Sequence, residues 1–136
     1  MGELNLEIIT PSKVGYKGSV TSVTVPGTKG NFQVLFNHAP IISSLEIGEI
    51  KIVDKDNKKF LFATSGGTIE VSNNKIIVLA ESLERSDQID IKRAEEAKQR
   101  AQDRLHRRTE TEIDDIRAEY SLKRAINRLK ISHKEL

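Results

Sequence analysis

The first part of the chain alternates between apolar and polar residues with a period of two, which predicts β-strands. The alternation is clear in Leu4–Ile8, Glu49–Ile52 and Thr68–Val71. Two further segments, Phe60–Ala63 and Ile76–Leu79, are apolar at every position, which predicts strands buried on both faces. Turn-forming residues separate these segments at about 8–12-residue spacing, so we expect an antiparallel β-sandwich or flattened barrel.

After residue 86 the apolar period becomes that of an α-helix. One predicted stripe consists of Ala94, Ala97, Ala101 and Leu105. A second consists of Ile113, Ile116, Tyr120, Leu122, Ala125 and Leu129. Asp90 has the position of an N-cap, and Thr109 with Glu112 has the spacing of a capping box for the second helix. The pattern predicts an antiparallel two-helix hairpin.

The composition also changes near residue 86. All three prolines and all eight glycines lie at or before Gly67, and beyond Ser86 the chain is rich in Glu, Asp, Lys, Arg and Ala. We therefore expect an α+β protein, with a β-sandwich domain over residues 1–86 and an α-helical hairpin over residues 87–136. An alanine contact face buries little area, so the closed hairpin should be weakly held and reversible by a ligand or partner. The alternative is a permanently packed hairpin with a solvated charged face.

Composition excludes several function classes. The chain has no cysteine, which excludes disulfides, thiolate zinc sites and a cysteine nucleophile. Its 22 basic and 20 acidic residues nearly balance, which argues against a nucleic-acid module, and the short helical stripes are not heptad-regular, which argues against a coiled coil. We expect no direct membrane insertion, because no apolar stretch reaches roughly 20 residues and the start lacks a secretory signal.

The sequence also carries no recognisable catalytic constellation. It has no Gly-rich phosphate loop, no cluster of metal ligands and no nucleophile with an evident base. We therefore predict no catalytic residue and no metal site. His38 in particular is expected to have a structural or interface role, because no second ligand lies near it in the sequence.

Four motifs resemble the ε subunit of bacterial and chloroplast F-type ATP synthases. They are LEIITP at Leu6–Pro11, GNFQVLFNHAP at Gly30–Pro40, SGGTIEV at Ser65–Val71 and LKRAINRL at Leu122–Leu129. The likeness extends in order from about Leu4 to Ile131. The chain departs from the family at Gln33, where glycine is usual, and at Phe36, where proline is usual, and both changes alter local backbone preferences.

The resemblance implies a non-catalytic subunit of the central stalk, which couples rotation of the γ subunit and the c-ring to ATP synthesis. The β domain would contact γ and the c-ring through Asn31, Phe32, Asn37 and His38. Of Phe32 and Phe36, one is expected in the core and the other at the interface. The subunit would lie at the cytoplasmic face of a bacterial membrane or, alternatively, at the stromal face of the chloroplast thylakoid.

The resemblance further implies that the helical arm either folds down on the β domain or extends along γ into the α/β catalytic head. In the extended state it would inhibit ATP hydrolysis. Four basic side chains would then contact acidic segments of the head: Arg107, Arg108, Lys123 and Lys130.

Some bacterial members of that family bind ATP through an Ile-Asp-x-x-Arg-Ala motif, which is intact at Ile89–Ala94. The resemblance implies no obligatory cofactor, with ATP as a regulatory ligand. The implied binding residues are Glu84, Ile89, Asp90, Arg93, Ala94, Arg100, Arg124 and Arg128. Arginine suits multidentate phosphate contact. The alternative is that these arginines form surface salt bridges with Glu95, Glu96, Asp103 and Glu119.

Overall fold

The computed structural model of the chain describes residues 2–107 and 112–134, with the side chains of residues 112–114 left out of the description. The chain divides into two compact units, one up to Arg85 and one from Ser86 onward. Arg108 and Thr109 lie outside the described residues, so their predicted roles in head contact and capping stay predictions.

Nine β-strands form the first unit within the described residues. They are β1 (Leu4–Ile9), β2 (Val14–Gly27), β3 (Gly30–Val34), β4 (Ile41–Leu45), β5 (Gly48–Asp54), β6 (Lys59–Thr64), β7 (Gly67–Ser72), β8 (Lys75–Ala80) and β9 (Leu83–Arg85). Their spatial order is β1-β8-β7-β4-β2-β5-β6-β9, with β3 beside β2. The long strand β2 also pairs with β1, which closes the sheet on itself. This β-sandwich-like arrangement confirms the predicted fold class.

The first unit is filled by branched aliphatic side chains that project inward at alternate strand positions. Fully buried examples are Ile8, Val23, Ile50, Ile52, Val34, Ile69, Ile76 and Val78. Burying one such side chain stabilises the fold by about 1.5–3 kcal/mol. The period-two pattern of the sequence therefore corresponds to the core face of the sheet. The sheet is not wholly antiparallel as predicted, because β1 and β8 run parallel.

The two segments that are apolar at every position behave differently. In β6, Leu61 and Phe62 are both buried, as the sequence predicts. In β8 the prediction of burial on both faces is wrong, because Leu79 is 52% exposed and Ile77 is only half-buried. The reason is that this part of the sheet has its core on one face only, so alternate apolar residues of β8 project outward.

Two turns of the β unit depend on particular backbone conformations. Asn73 and Asn74 have φ angles of 50° and 60° between β7 and β8, as a type I′ hairpin turn requires. Gly67 has a φ of 145°, and a Cβ atom there would lie 2.0 Å from the carbonyl oxygen of Leu79. Only glycine fits at position 67, which explains the second glycine of the SGGTIEV motif.

The second unit contains a 3-10 turn at Ser86–Gln88 and two helices, α1 (Ile91–His106) and α2 (Glu112–Ser132). Asp90 is the N-cap of α1, as predicted, and its Oδ1 accepts a hydrogen bond from the backbone N–H of Arg93 at 3.1 Å. The helices pack against each other and are joined by a short connection, which confirms the predicted hairpin.

The contact face of α1 agrees with its predicted stripe, whereas that of α2 agrees only in part. Ala94 and Ala101 are buried in α1, but Ile116 and Tyr120 in α2 are 47% and 53% exposed. Among the described side chains of α2, the buried ones are Ala118, Ala125 and Ile131, and of these only Ala125 belongs to the predicted stripe. The side chain of Ile113, also in that stripe, lies outside the described residues. Small side chains permit close approach of the two backbones, which explains why alanines occupy most of the contact.

Candidate functional site

A cleft of about 160 Å³ lies between the two helices of the second unit. Helix α1 contributes Ala97, Arg100, Ala101 and Arg104, and α2 contributes Ala118, Ser121, Arg124 and Arg128. The alanines form the floor because they allow the helices to pack closely. Arg100 and Arg104 are four positions apart, as are Arg124 and Arg128, so each pair occupies one helix face.

The lining of the cleft is strongly basic. Four of its eight lining residues are arginines and none carries a carboxylate. Arg124 is half-buried, and its Nη2 donates a hydrogen bond to Ser121 Oγ at 3.2 Å, which fixes the direction of one guanidinium. All charged groups that line the cleft are cationic, so an anion bound among them would favour the closed arrangement of the helices.

The size of the cleft limits what it can enclose. Its volume of about 160 Å³ is below the range of about 300–1,000 Å³ typical of pockets for drug-sized ligands. Guanidinium groups bind phosphate oxygens through parallel N–H donors. The arrangement can therefore hold a chain of phosphates, whereas the remainder of a nucleotide would lie outside this cleft.

Three of the eight predicted ATP-binding residues line the cleft: Arg100, Arg124 and Arg128. Asp90 caps α1, and Arg93 is exposed in the first turn of that helix, outside the cleft lining. Ile89 and Ala94 are buried apolar residues. Glu84 belongs to β9 in the other unit, where it is paired with Ala63.

Three lining residues are not predicted from the sequence: the polar Arg104 and Ser121, and the small Ala118. Arg104 follows Arg100 by four positions and therefore shares its face, so helical spacing alone could have identified it. Ser121 precedes Arg124 by three positions, but a serine at this spacing is too common to be a signal without the structure.

The Gly30–Pro40 segment of the β unit contains a β-turn. The backbone N–H of His38 donates to the carbonyl oxygen of Leu35 at 3.1 Å, and Asn37 has a φ of 64°. The structure distinguishes the two phenylalanines, because Phe32 packs against the core and Phe36 is 40% exposed.

The remaining predicted interface residues are accessible. Asn31 and Asn37 are exposed, and His38 is half-buried with Nδ1 donating to the carbonyl oxygen of Ala39 at 2.6 Å. Gln33 pairs with Thr24 in β3 without a positive φ, so this departure from glycine causes no backbone strain.

Exposed apolar side chains form a row on the outer face of the sheet. Ile42 of β4 is 78% exposed. It pairs with Glu70 of β7, and Glu70 pairs with Ile77 of β8. Directly paired residues project from the same face, as does Leu79 two positions further along β8. We call Ile42, Ile77 and Leu79 the docking face. Ile42 and Leu79 are exposed, Ile77 is half-buried, and Glu70 lies between Ile42 and Ile77 on the same face.

Three of the four basic residues predicted to contact the catalytic head are described, and all are exposed: Arg107, Lys123 and Lys130. Lys123 Nζ lies 5.8 Å from the ring centroid of Tyr120, within cation–π distance. In the part of the chain that the structure describes, no group of three or more His, Cys, Asp or Glu residues could hold a metal ion. The same residues include no helix that is both long and apolar enough to cross a membrane.

Comparison with known proteins covers both units. Residues 3–86 match the family model described as ATP synthase, Delta/Epsilon chain, beta-sandwich domain, and residues 87–133 match its long alpha-helix domain. The ATP synthase epsilon chain of Desulforamulus reducens is 46% identical over 125 residues, covering 92% of this chain and 93% of that protein. The epsilon chain of Moorella thermoacetica is 41% identical over 130 residues, covering 96% of each.

Solved structures share the fold. A chain of the Euglena gracilis mitochondrial ATP synthase, solved by cryo-EM, has a TM-score of 0.80 at 18% identity, covering 90% of this chain and 77% of that chain. A chain from the central stalk and c-ring of the Tetrahymena thermophila enzyme has a TM-score of 0.63 at 15% identity, covering 96% and 97%. The chain therefore belongs to the ATP synthase delta/epsilon family, as an epsilon-type, non-catalytic subunit.

Proposed function

We propose that the helical hairpin is an ATP-responsive regulatory arm of the central stalk in an F-type ATP synthase. The observation that supports this most strongly is the cleft between α1 and α2, where four arginines surround a space suited to a phosphate chain. ATP bound there would favour the closed hairpin. The open arm would extend along γ into the α/β catalytic head and inhibit ATP hydrolysis.

Electrostatics gives the reason for the response. In the closed hairpin, the guanidiniums of Arg100, Arg104, Arg124 and Arg128 line one cleft. A phosphate chain held there would connect the two helices, because guanidiniums of both helices can donate to phosphate oxygens. ATP at 100 times its dissociation constant would stabilise the closed state by about 2.7 kcal/mol.

The other predicted ATP-binding residues have supporting roles in this proposal. The Asp90 carboxylate starts α1 as its N-cap, and Ile89 and Ala94 are buried on either side of it in the sequence. Arg93 would contact the part of the nucleotide outside the cleft, and for Glu84, which belongs to the first unit, the ATP-binding role stays a prediction from the sequence. In this proposal ATP is a regulatory ligand and no cofactor is obligatory.

Calorimetric titration of the full chain with ATP tests the site. We expect saturable binding that weakens about tenfold or more in Arg124→Ala and Arg128→Ala, because a hydrogen bond to a charged group contributes about 1.5–3 kcal/mol. The matched control is Arg117→Ala, an exposed arginine of α2 outside the cleft lining. Equal affinity in all three variants, or no binding at millimolar ATP, would contradict the proposal.

A second observation favours docking of the β unit on the rotor, with the γ subunit and the c-ring as partners. The docking face presents Ile42 at 78% exposure, and Phe36 is accessible in the neighbouring part of the sequence. Because Phe32 packs against the core, we assign the interface role expected of one phenylalanine to Phe36, together with Asn31, Asn37 and His38. The complex would lie at the cytoplasmic face of the bacterial membrane.

Contact of the open arm with the head is proposed through the exposed cations Arg107, Lys123 and Lys130, joined by Arg108. Acidic segments of the α and β subunits would receive them. In the assembled complex, Lys123→Gln with Lys130→Gln should relieve inhibition of ATP hydrolysis. Unchanged inhibition in that double variant would reject this contact.

A further inference from the structure

Asn74 connects three segments of the β unit that are far apart in the sequence. Its Nδ2 donates to Asn37 Oδ1 at 3.1 Å, and its Oδ1 accepts from the backbone N–H of Asn37 at 2.6 Å. Its own carbonyl oxygen accepts from the backbone N–H of Asn5 at 2.9 Å. A residue of the β7–β8 turn thus holds the turn at Leu35–His38 through two side-chain hydrogen bonds.

The turn that Asn74 holds has one backbone hydrogen bond of its own, from the N–H of His38 to the carbonyl oxygen of Leu35, but no residue that fixes its backbone angles. Asn37 occupies the third position with a φ of 64°, and Phe36, which is not among the residues of positive φ, occupies the second. These signs are those of a type II turn, in which proline is favoured at the second position because its ring fixes φ. Phe36 supplies no such restriction, so without the hydrogen bonds of Asn74 the turn would sample other conformations.

We propose that Asn74 is the positioning residue of this turn, and that its two hydrogen bonds replace the restraint that a proline at position 36 would supply. By ordering Phe36, Asn37 and His38 before contact, it lowers the entropy cost of docking on the rotor. The effect of Asn74 on docking rests on the proposed docking function, whereas its ordering of the turn can be measured on the chain alone.

The first experiment measures amide hydrogen exchange by NMR in the full chain and in Asn74→Gly. Glycine accepts the φ of 60° at this position, so the substitution removes the two side-chain hydrogen bonds without straining the backbone. The matched control is Asn57→Gly in the β5–β6 turn, where φ is 64°. We expect exchange at His38 to be about tenfold faster in Asn74→Gly and unchanged in the control. Unchanged exchange at His38 in Asn74→Gly would overturn the inference.

A rescue variant separates positioning of the turn from a general loss of stability. Adding Phe36→Pro to Asn74→Gly should restore slow exchange at His38, because proline fixes the backbone angle at the second position of the turn. A general weakening of the β unit would instead speed exchange at the core amides of the sheet as well as at His38, so those amides serve as the reference. Continued fast exchange at His38 in the double variant would overturn the claim that Asn74 replaces proline.

The second experiment measures binding of the same variants to isolated γ subunit. We expect Asn74→Gly to bind about tenfold more weakly than the unaltered chain, with Asn57→Gly unchanged. Faster exchange with undiminished γ affinity would overturn the docking role of Asn74. If the unaltered chain fails to bind γ, the proposed docking function itself is contradicted, and the exchange experiment still decides whether Asn74 orders the turn.

Discussion

The two units of the chain bury different kinds of side chain in their interiors. The β unit buries large branched residues such as Ile50, Ile52 and Ile69, each 0% exposed. The helical unit buries mainly alanines, among them Ala101 and Ala118. At about 25 cal/mol per Å² of apolar surface, an alanine contributes far less than an isoleucine. The same chain therefore combines a strongly packed unit with a weakly packed one.

This difference agrees with the proposed function. A unit that docks on a rotor would need one fixed shape, which a close-packed core provides. A regulatory arm would need two arrangements of similar free energy, because a ligand can shift a population only by its difference in affinity for the two states. Under the proposal, the alanine contact and the arginine-lined cleft would keep the closed hairpin within reach of such a shift.

The largest effect is expected from truncation in the β core. Ile52→Ala should lower the free energy of unfolding of the β unit by about 2–5 kcal/mol, because it removes buried methyl groups and leaves a cavity. Ile42→Ala, at a position 78% exposed, is the control and should change the free energy by less than about 0.5 kcal/mol. Urea unfolding measures both variants. Equal effects would mean that the core is not the source of stability.

An intermediate effect is expected from overfilling the helix contact. Ala101→Leu should destabilise the closed hairpin by about 1–3 kcal/mol, since the added side chain forces α1 and α2 apart. It should weaken ATP binding to a similar extent, because the cleft opens. Glu95→Leu, at an exposed position of α1, is the matched control. Undiminished ATP affinity in Ala101→Leu would show that ATP does not require the closed contact.

The smallest effect concerns Tyr16, whose ring lies 6.0 Å from that of Phe60, centroid to centroid. Burial, reinforced by the negative charge of Asp54, raises the pKa of Tyr16 above its ordinary value of 10.0. Above that pH the unfolded chain loses the phenolic proton before the folded chain does, so folding stability falls as pH rises. Tyr16→Phe should flatten this fall in unfolding experiments above pH 10. Parallel pH profiles for the two proteins would contradict the assignment.

Much of the fold was predictable because hydrophobic periodicity records which face of an element is buried. The prediction from periodicity is wrong where an apolar residue faces outward. Leu79 and Ile116 have the pattern of core residues in the sequence but are exposed in the structure. In α2 the pattern correctly includes Ala125 but also includes the exposed Tyr120 and omits the buried Ala118, because the period alone does not distinguish a large exposed residue from a small buried one.

The candidate site was only partly predictable for a related reason. Arg100, Arg124 and Arg128 were identified through the family motif, and helical spacing could have added Arg104. The contact between Asn37 and Asn74 joins residues 37 positions apart, and only the pairing of the strands brings them together. Local sequence carries no signal for such a contact.

The central claim is that the helical unit is weakly held and stabilised by ATP, whereas the β unit is not affected. Amide hydrogen exchange of the full chain with and without ATP tests this directly. We predict that α1 and α2 exchange much faster than the β core without ATP, and that ATP slows exchange in the helices alone. Helices that exchange as slowly as the β core without ATP, and do not respond to it, would contradict the account.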